Sequence, residues 1–170
     1  MAIPTFNAIG FCAHYSLQGD WAFDFALELS KAYKTKLNVF HFLQDPYGSS
    51  YNKKLDLTRD EIENLVVKKE KELRLYYDER AGEYLDVGFR VCYDHSWTEL
   101  HRCLLIREFQ LLVLAVPEND STFAQKPIKD FSDNFISPVI LIGPKNKDQI
   151  YMNTPAKLIS ENLEIFKELA

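Results

Sequence analysis

Short apolar runs alternate along this chain with segments of helical periodicity, and this alternation constrains the fold more than any other feature. Residues 8–13 and 111–116 are apolar runs, which are typical of parallel strands that helices cover on both faces. A further strand is predicted at residues 37–42, after one amphipathic helix, so the first two strands form a right-handed parallel crossover. The sequence therefore predicts an α/β fold with helices on both faces of a parallel sheet.

The middle of the chain continues this alternation. Thr58, with Glu61 three residues later, forms a capping-box pattern that predicts the start of a long helix. Residues 87–93 alternate between apolar and polar side chains, as expected for an edge strand with one solvated face. Pro127 favours the start of a short helix, and residues 139–142 form the fifth predicted strand.

Residues 147–170 depart from the alternation and are predicted to form a helical tail after a domain of residues 1–146. Thr154 and Pro155 favour the start of a helix. One face of this helix is apolar and consists of Leu158, Ile159, Leu163, Phe166 and Leu169. Because so much apolar surface is rarely left exposed, we expect the tail to dock on its own domain or on a partner.

Composition excludes several functional classes. The chain has 170 residues and a net charge of -5, with its lysines and arginines interleaved with acids, which argues against nucleic-acid binding. No apolar run approaches the roughly 20 residues of a membrane span, and the N-terminus lacks a signal-peptide pattern. The three cysteines form no close pair and indicate reduced thiols. We therefore expect a cytoplasmic protein.

Two segments resemble the universal stress protein family. Residues 26–33 and the strand that follows at 36–42 are similar to the family's first helix and second strand. Residues 111–116 and 137–142 are similar to its last two strands. The resemblance implies an open five-stranded parallel sheet of order 3-2-1-4-5, with helices on both faces. It also implies that residues 139–142 lie at a sheet edge, where dimers of this family commonly pair.

Nucleotide-binding members of that family carry a glycine signature after strand four, and this chain lacks it. No glycine occurs between Gly88 and Gly143. A phosphate cradle needs converging backbone N–H groups on turns that tolerate positive φ. Pro117 and Pro127 supply no N–H, and the loop between them is acidic. We therefore expect no cofactor and disfavour ATP.

The resemblance also indicates which positions would face a ligand. The family's Asp after strand one falls on His14, and the adenine-facing positions fall on Cys12 and Phe42. Ala115 lies where the signature loop begins, and Lys126 takes a phosphate-facing position. These five residues form the predicted nucleotide or small-ligand pocket. His14 lies at the switch point between strands one and four and is either a ligand-binding or pH-sensing residue, or a loop histidine without a partner.

No catalytic residue and no metal ligand is assigned from the sequence. A Gly-x-Ser-x-Gly nucleophile turn is absent. Cys12, Asp94 and His95 all fall near the predicted carboxyl edge of the sheet, but a strand separates Cys12 from the other two. His95 and His101 are six residues apart, which does not place two ligands on one helix face. Enzymatic activity is therefore not predicted.

The leading interpretation is a cytoplasmic stress-response or regulatory module that does not bind ATP. It would act through protein partners or through homodimerisation by residues 139–142, the tail helix, or both. A second hypothesis is adenine-nucleotide binding by altered contacts, with His14, Phe42 and Lys126 as the pocket. A third is a flavin- or adenylate-using enzyme on a related sheet, for which no catalytic pair is identified.

Overall fold

The computed structural model describes residues 7–48, 56–93 and 96–161, with the backbone alone for residues 96–99. Strands and helices alternate along this part of the chain. In order they are β1 (Ala8–Cys12), α1 (Leu17–Tyr33), β2 (Lys36–Phe42), α2 (Arg59–Ala81), β3 (Val87–Cys92), α3 (Ser96–Leu105), β4 (Leu111–Ala115), β5 (Thr122–Phe123), β6 (Lys126–Pro127), α4 (Ile128–Asp133), β7 (Val139–Ile142), β8 (Ile150–Met152) and α5 (Thr154–Ser160).

The main sheet has the order β3-β2-β1-β4-β7-β8. Its first five strands are parallel, and β8 runs antiparallel to β7. The order of the parallel strands is the one that the resemblance implies, so the predicted fold class is confirmed. The strand β3 lies at one edge, as its alternating pattern predicts. The structure adds β8, together with a two-stranded hairpin of β5 and β6.

The strand β7 does not lie at the edge of the sheet, contrary to the expectation for residues 139–142. The chain folds back after Ile142, and β8 pairs with β7 so that Ile142 faces Ile150 and Ile140 faces Met152. A strand of three residues is too short to show periodicity in the sequence. Because β8 occupies this edge, a second copy cannot pair with β7 unless β8 is displaced. The division at residue 146 between domain and tail stays a prediction.

Helices cover both faces of the sheet. One hydrophobic cluster joins the sheet to α1, α2 and α5, and the other joins it to α3 and α4. The capping box of Thr58 and Glu61 is present at the start of α2. On this helix Tyr77 is the fully buried tyrosine, whereas the Tyr76 hydroxyl donates a hydrogen bond to Asp20 (2.5 Å).

The helix α5 begins where the tail sequence predicts a helix, with Asn153 as its N-cap and Pro155 in its first turn. Its Ala156 and Ile159 pack against the cluster that contains α1 and α2. The predicted apolar residues Leu163, Phe166 and Leu169 lie outside the described residues. Among the helices that the structure describes, none is long and apolar enough to cross a membrane.

Candidate functional site

The strand order reverses between β1 and β4, and in open α/β sheets a ligand crevice forms at the carboxyl ends of such strands. Three of the predicted pocket residues end strands here: Cys12 ends β1, Phe42 ends β2, and Ala115 ends β4. Their exposed fractions are 1%, 4% and 0%. The strand ends are therefore covered by other parts of the chain.

His14 lies on the turn between β1 and α1 and is half-buried. Its Nδ1 atom lies 2.8 Å from the Ser16 hydroxyl, which also caps α1 by accepting a hydrogen bond from the Gly19 N–H. The His14 carbonyl passes so close to Gly19 that an added Cβ would lie 1.7 Å from its oxygen. Glycine is therefore required there, and it fixes His14 over the crevice. His14 is not a loop residue without a partner.

A tight turn after β2 places a tyrosine in this crevice. The turn reads Asp45-Pro46-Tyr47-Gly48, with the Asp45 carbonyl accepting from the Gly48 N–H (3.1 Å) and the Asp45 side chain accepting from the Tyr47 N–H (3.0 Å). Asp at the first position, Pro at the second and Gly at the fourth are the residues that such a turn favours. The turn holds the Tyr47 side chain in a defined direction.

Tyr47 fills the space between the ends of β1 and β4. Its hydroxyl donates a hydrogen bond to the Ala115 carbonyl (2.9 Å). Its ring makes edge contacts with His14 and Phe123, at centroid distances of 4.5 and 5.1 Å. The loops are also joined directly, because the Ala124 N–H donates to the Pro46 carbonyl (2.8 Å). The chain thus supplies its own aromatic group to the crevice.

The loop that would carry the glycine signature forms the hairpin of β5 and β6. Ala124 and Gln125 have φ values of 52° and 63°, so the expectation that this loop cannot adopt positive φ without glycine is wrong. These residues form the two-residue turn of the hairpin, where positive φ matches the strand twist. Hairpin pairing and the contact with Pro46 offset the cost of the left-handed conformation, about 1–2 kcal/mol per residue.

The amide groups of this loop are used within the chain. The Glu118 N–H donates to the Ser121 hydroxyl (2.8 Å), and the Ser121 N–H donates to the Glu118 carbonyl (3.2 Å). The Ile128 N–H donates to the Ser121 carbonyl (3.0 Å), and the Ala124 N–H donates to the Pro46 carbonyl. These donors are therefore engaged and do not converge on an open space.

The structure brings four of the five predicted pocket residues into one neighbourhood and leaves Lys126 apart. His14 and Ala115 both contact Tyr47. Cys12 and Phe42 both belong to the cluster beneath α3 and α4, against which Tyr47 packs. Lys126 is exposed on β6, beyond the hairpin turn. Sequence reasoning missed Tyr47, for which the Asp-Pro-Tyr-Gly turn was the available signal.

Burial dominates the electrostatics of the crevice. It raises the pKa values of the Cys12 thiol and the Tyr47 hydroxyl well above their ordinary values, and Asp45 adds to both effects. Burial lowers the pKa of His14, against a smaller opposing effect of Asp45. It also lowers the pKa of His41, and Lys69 adds to that effect. The crevice therefore favours neutral forms of its titratable groups.

These shifts predict how stability depends on pH. Because the folded pKa values of His14 and His41 lie below the ordinary 6.5, the unfolded state binds more protons between the two values. Their contribution is fully present above pH 6.5 and is lost as pH falls through the folded values. We expect the free energy of unfolding, measured with urea, to decrease with acidification in that window. A double variant, His14→Gln with His41→Gln, should flatten this dependence; an unchanged slope would contradict the assignment.

No group of three or more histidine, cysteine, aspartate or glutamate side chains is placed to hold a metal within residues 7–48, 56–93 and 96–161. Asp94 and His95, two of the weak metal candidates, lie outside the described residues. All three cysteines, Cys12, Cys92 and Cys103, are buried free thiols. The described cysteines therefore offer no thiol at the surface of the crevice.

A separate cavity of about 430 Å³ lies on the far side of the hairpin, bounded by the start of α4 and by β7 and β8. Asp120 and Ser121 line one side of it, and Lys129 and Tyr151 line the other. The Lys129 ammonium lies 5.1 Å from the Tyr151 ring centroid, a cation–π distance. The volume of the cavity is within the range of small-ligand sites. The basic residue that lines the cavity is Lys129 and not Lys126, which the sequence predicted.

Comparison with known proteins gives matches by structure alone. No protein-family model and no curated protein matches the chain. The universal stress protein UspA from Lactobacillus plantarum superposes with a TM-score of 0.58 at 15% identity, covering 81% of this chain and 97% of that chain. A universal stress protein family member from Burkholderia pseudomallei gives 0.54 at 14% identity, covering 81% and 96%.

A third similar structure is a universal stress protein in complex with cAMP, with a TM-score of 0.53 at 16% identity, covering 81% of this chain and 97% of that chain. These values establish a shared fold across most of both chains. They agree with the resemblance inferred from the sequence, and the low identity fits a divergent sequence on that fold.

Proposed function

We propose that this chain, which has the fold of the universal stress proteins, is a stress-response or regulatory module that acts through protein contacts. In this proposal the chain's own side chains fill the crevice between β1 and β4, and the crevice binds no adenine nucleotide. The proposal places the protein in the cytoplasm and includes self-association. It assigns no catalytic residue.

The observation that carries the proposal is the position of Tyr47. A base entering between β1 and β4 would have to displace its ring from His14 and Phe123 and break its hydrogen bond to the Ala115 carbonyl. That displacement would leave a carbonyl at a covered strand end without a partner, which costs about 1–3 kcal/mol. The ligand would have to recover this cost before any net binding.

The charge of the adjoining loop adds to this cost. Glu118 and Asp120 lie on the loop where a phosphate chain would approach, and both are exposed. Two like charges at 4 Å repel by about 4 kcal/mol at an effective dielectric of 20, although solvent reduces this for exposed groups. A nucleotide polyphosphate would meet these charges in place of free amide donors.

Isothermal titration calorimetry with magnesium ATP and with cAMP tests the proposal. We expect no saturable heat from the unmodified protein or from the Tyr47→Phe variant, because the ring stays in the crevice in both. A saturable heat with the unmodified protein would overturn the proposal. A parallel titration of a nucleotide-binding protein of the same fold would show that the ligands are active.

A second candidate function is adenine-nucleotide binding by altered contacts. It is supported by the cavity beside the hairpin, with its Lys129 and Tyr151 lining, and by the fold shared with a cAMP complex. If the titration shows binding, two matched alanine variants separate the sites. Lys129→Ala should weaken binding if the nucleotide occupies the cavity. Lys126→Ala should weaken binding if the nucleotide occupies the pocket that the sequence predicted.

A further inference from the structure

The outer edge of β3 carries backbone groups that no described strand pairs. β3 is the terminal strand of the sheet. The Asp86 and Cys92 carbonyls accept hydrogen bonds from β2, at Leu37 N–H (3.0 Å) and Leu43 N–H (2.8 Å). Because successive residues of a strand point their N–H and C=O groups to opposite sides, those of Val87, Phe89 and Val91 point away from the sheet. They form a ready template for another strand.

The side chains along this edge have a symmetric pattern. Reading outward from Phe89 in both directions gives Val87 and Val91, and then Leu85 and Tyr93. The three central residues are half-buried, while Leu85 is 92% exposed and Tyr93 is 56% exposed. An apolar sequence that reads alike from both ends is complementary to an antiparallel copy of itself.

We propose that two copies of this chain pair antiparallel through β3, with the two-fold axis at Phe89. Phe89 would then face Phe89 of the partner subunit, and Val87 would face Val91 of the partner subunit. These are the residues whose N–H and C=O groups point outward, so each facing pair exchanges two hydrogen bonds. This inference rests on the self-association in the proposed function, and it identifies β3 as the surface through which two copies associate.

The charges on the other face of β3 suit this register. Gly88 would lie opposite Arg90 of the partner subunit, so no two like charges face each other directly. Asp86 and the chain's own Arg90 would both lie diagonal to that arginine, about 7–8 Å away, so each arginine has one acidic and one basic diagonal neighbour. On the same face the Lys36 side chain lies beside Gly88, and Glu108 pairs with Arg90 in the same chain. Arg107 lines the same surface, so each half of the face carries charges of both signs, and Glu108 offsets the charge of Arg90.

The surface beside Tyr93 offers a place for the exposed leucine of the partner. A groove of about 640 Å³ lies between Tyr93 and the first half of α2, and its apolar lining consists of Ile62, Val66, Val67 and Tyr93. In the proposed register, Leu85 of the partner subunit lies opposite Tyr93 and so reaches this groove. Pairing would cover the leucine, the tyrosine and the groove together, at both ends of the interface.

Analytical ultracentrifugation with charge variants tests this interface. At roughly 100 µM, where a Kd of micromolar order gives mostly dimer, we expect a mass of twice the 19.8 kDa chain. The double variant Leu85→Lys with Tyr93→Lys should sediment as a monomer, because the introduced lysines face each other across the axis. The double variant Leu85→Glu with Tyr93→Lys should restore the dimer. Both positions are exposed, so we expect both double variants to fold.

A matched control and two outcomes complete the test. Ile136→Lys introduces the same charge at an aliphatic residue that is 72% exposed and lies outside β3 and α2, and it should leave the dimer mass unchanged. An unmodified protein that stays monomeric would overturn both this interface and the self-association in the proposed function. A dimer that the paired lysines leave intact would overturn this interface alone. Neither outcome bears on nucleotide binding, which calorimetry measures separately.

Discussion

Replacing Asn153 by alanine should lower the free energy of unfolding by at least about 3 kcal/mol, because this side chain satisfies three buried backbone groups and a fourth that is partly buried. Its Oδ1 atom accepts from the Val139 N–H (2.9 Å) and the Ala156 N–H (3.1 Å). Its Nδ2 atom donates to the Ser132 carbonyl (2.8 Å) and the Ser137 carbonyl (2.9 Å). Urea unfolding followed by circular dichroism measures the loss.

The size of the effect follows from the burial of this site, since Asn153 is only 1% exposed. Each buried group left without a partner costs about 1–3 kcal/mol, and Asn153 is also the N-cap of α5. Asn153→Asp keeps acceptors for the two N–H groups and loses the two donated bonds. It should therefore retain the cap but still destabilise the fold.

Asn134→Ala is the matched control for this prediction. Asn134 is exposed and donates a single side-chain hydrogen bond, to the Asp130 carbonyl. Such surface changes usually alter stability by no more than about 0.5 kcal/mol. If Asn153→Ala changed stability by no more than this control, Asn153 would not be the residue that ties α4, β7 and α5 together.

The parallel core of the fold could be predicted from the sequence because its strands bury both faces. A strand such as Leu111–Ala115 must be apolar throughout, and α1 must place its apolar residues at helical spacing. The strand Ile150–Met152 escaped prediction because three residues carry no period, and its place is set by a turn and by Asn153. Its presence changes the function that the sequence suggests, because it occupies the edge assigned to dimer pairing.

The candidate site could be predicted only in part. The resemblance gave the strand ends, and the structure gathers Cys12, His14 and Ala115 in one region. The resemblance could not predict which side chain occupies the crevice, because Tyr47 and Ala115 lie 68 positions apart in the chain. The absence of glycine from this loop was also a poor guide to its backbone conformation. Ala124 and Gln125 adopt positive φ within a hairpin, and the strand pairing offsets the cost of that conformation.

Replacing Tyr47 by alanine should destabilise the protein by about 2–4 kcal/mol, since a partly buried aromatic ring and the space it fills are lost together. Tyr47→Phe keeps the ring against His14 and Phe123 and loses only the bond to the Ala115 carbonyl, so it should cost about 1 kcal/mol. Urea unfolding of the two variants beside the unmodified protein gives both values. Equal costs would mean that the ring itself contributes nothing.

Thiol labelling separates a locally opened crevice from a generally loosened fold. All three cysteines are buried in the unmodified protein, so each should react slowly with an aromatic disulfide reagent. If Tyr47 closes the crevice, Tyr47→Ala should speed the labelling of Cys12 while Cys92 and Cys103 stay protected; Tyr47→Phe should leave all three slow. Equal acceleration at the three cysteines would indicate global unfolding. In that case Tyr47 would act as a core residue, and the proposed exclusion of nucleotide from this crevice would lose its physical basis.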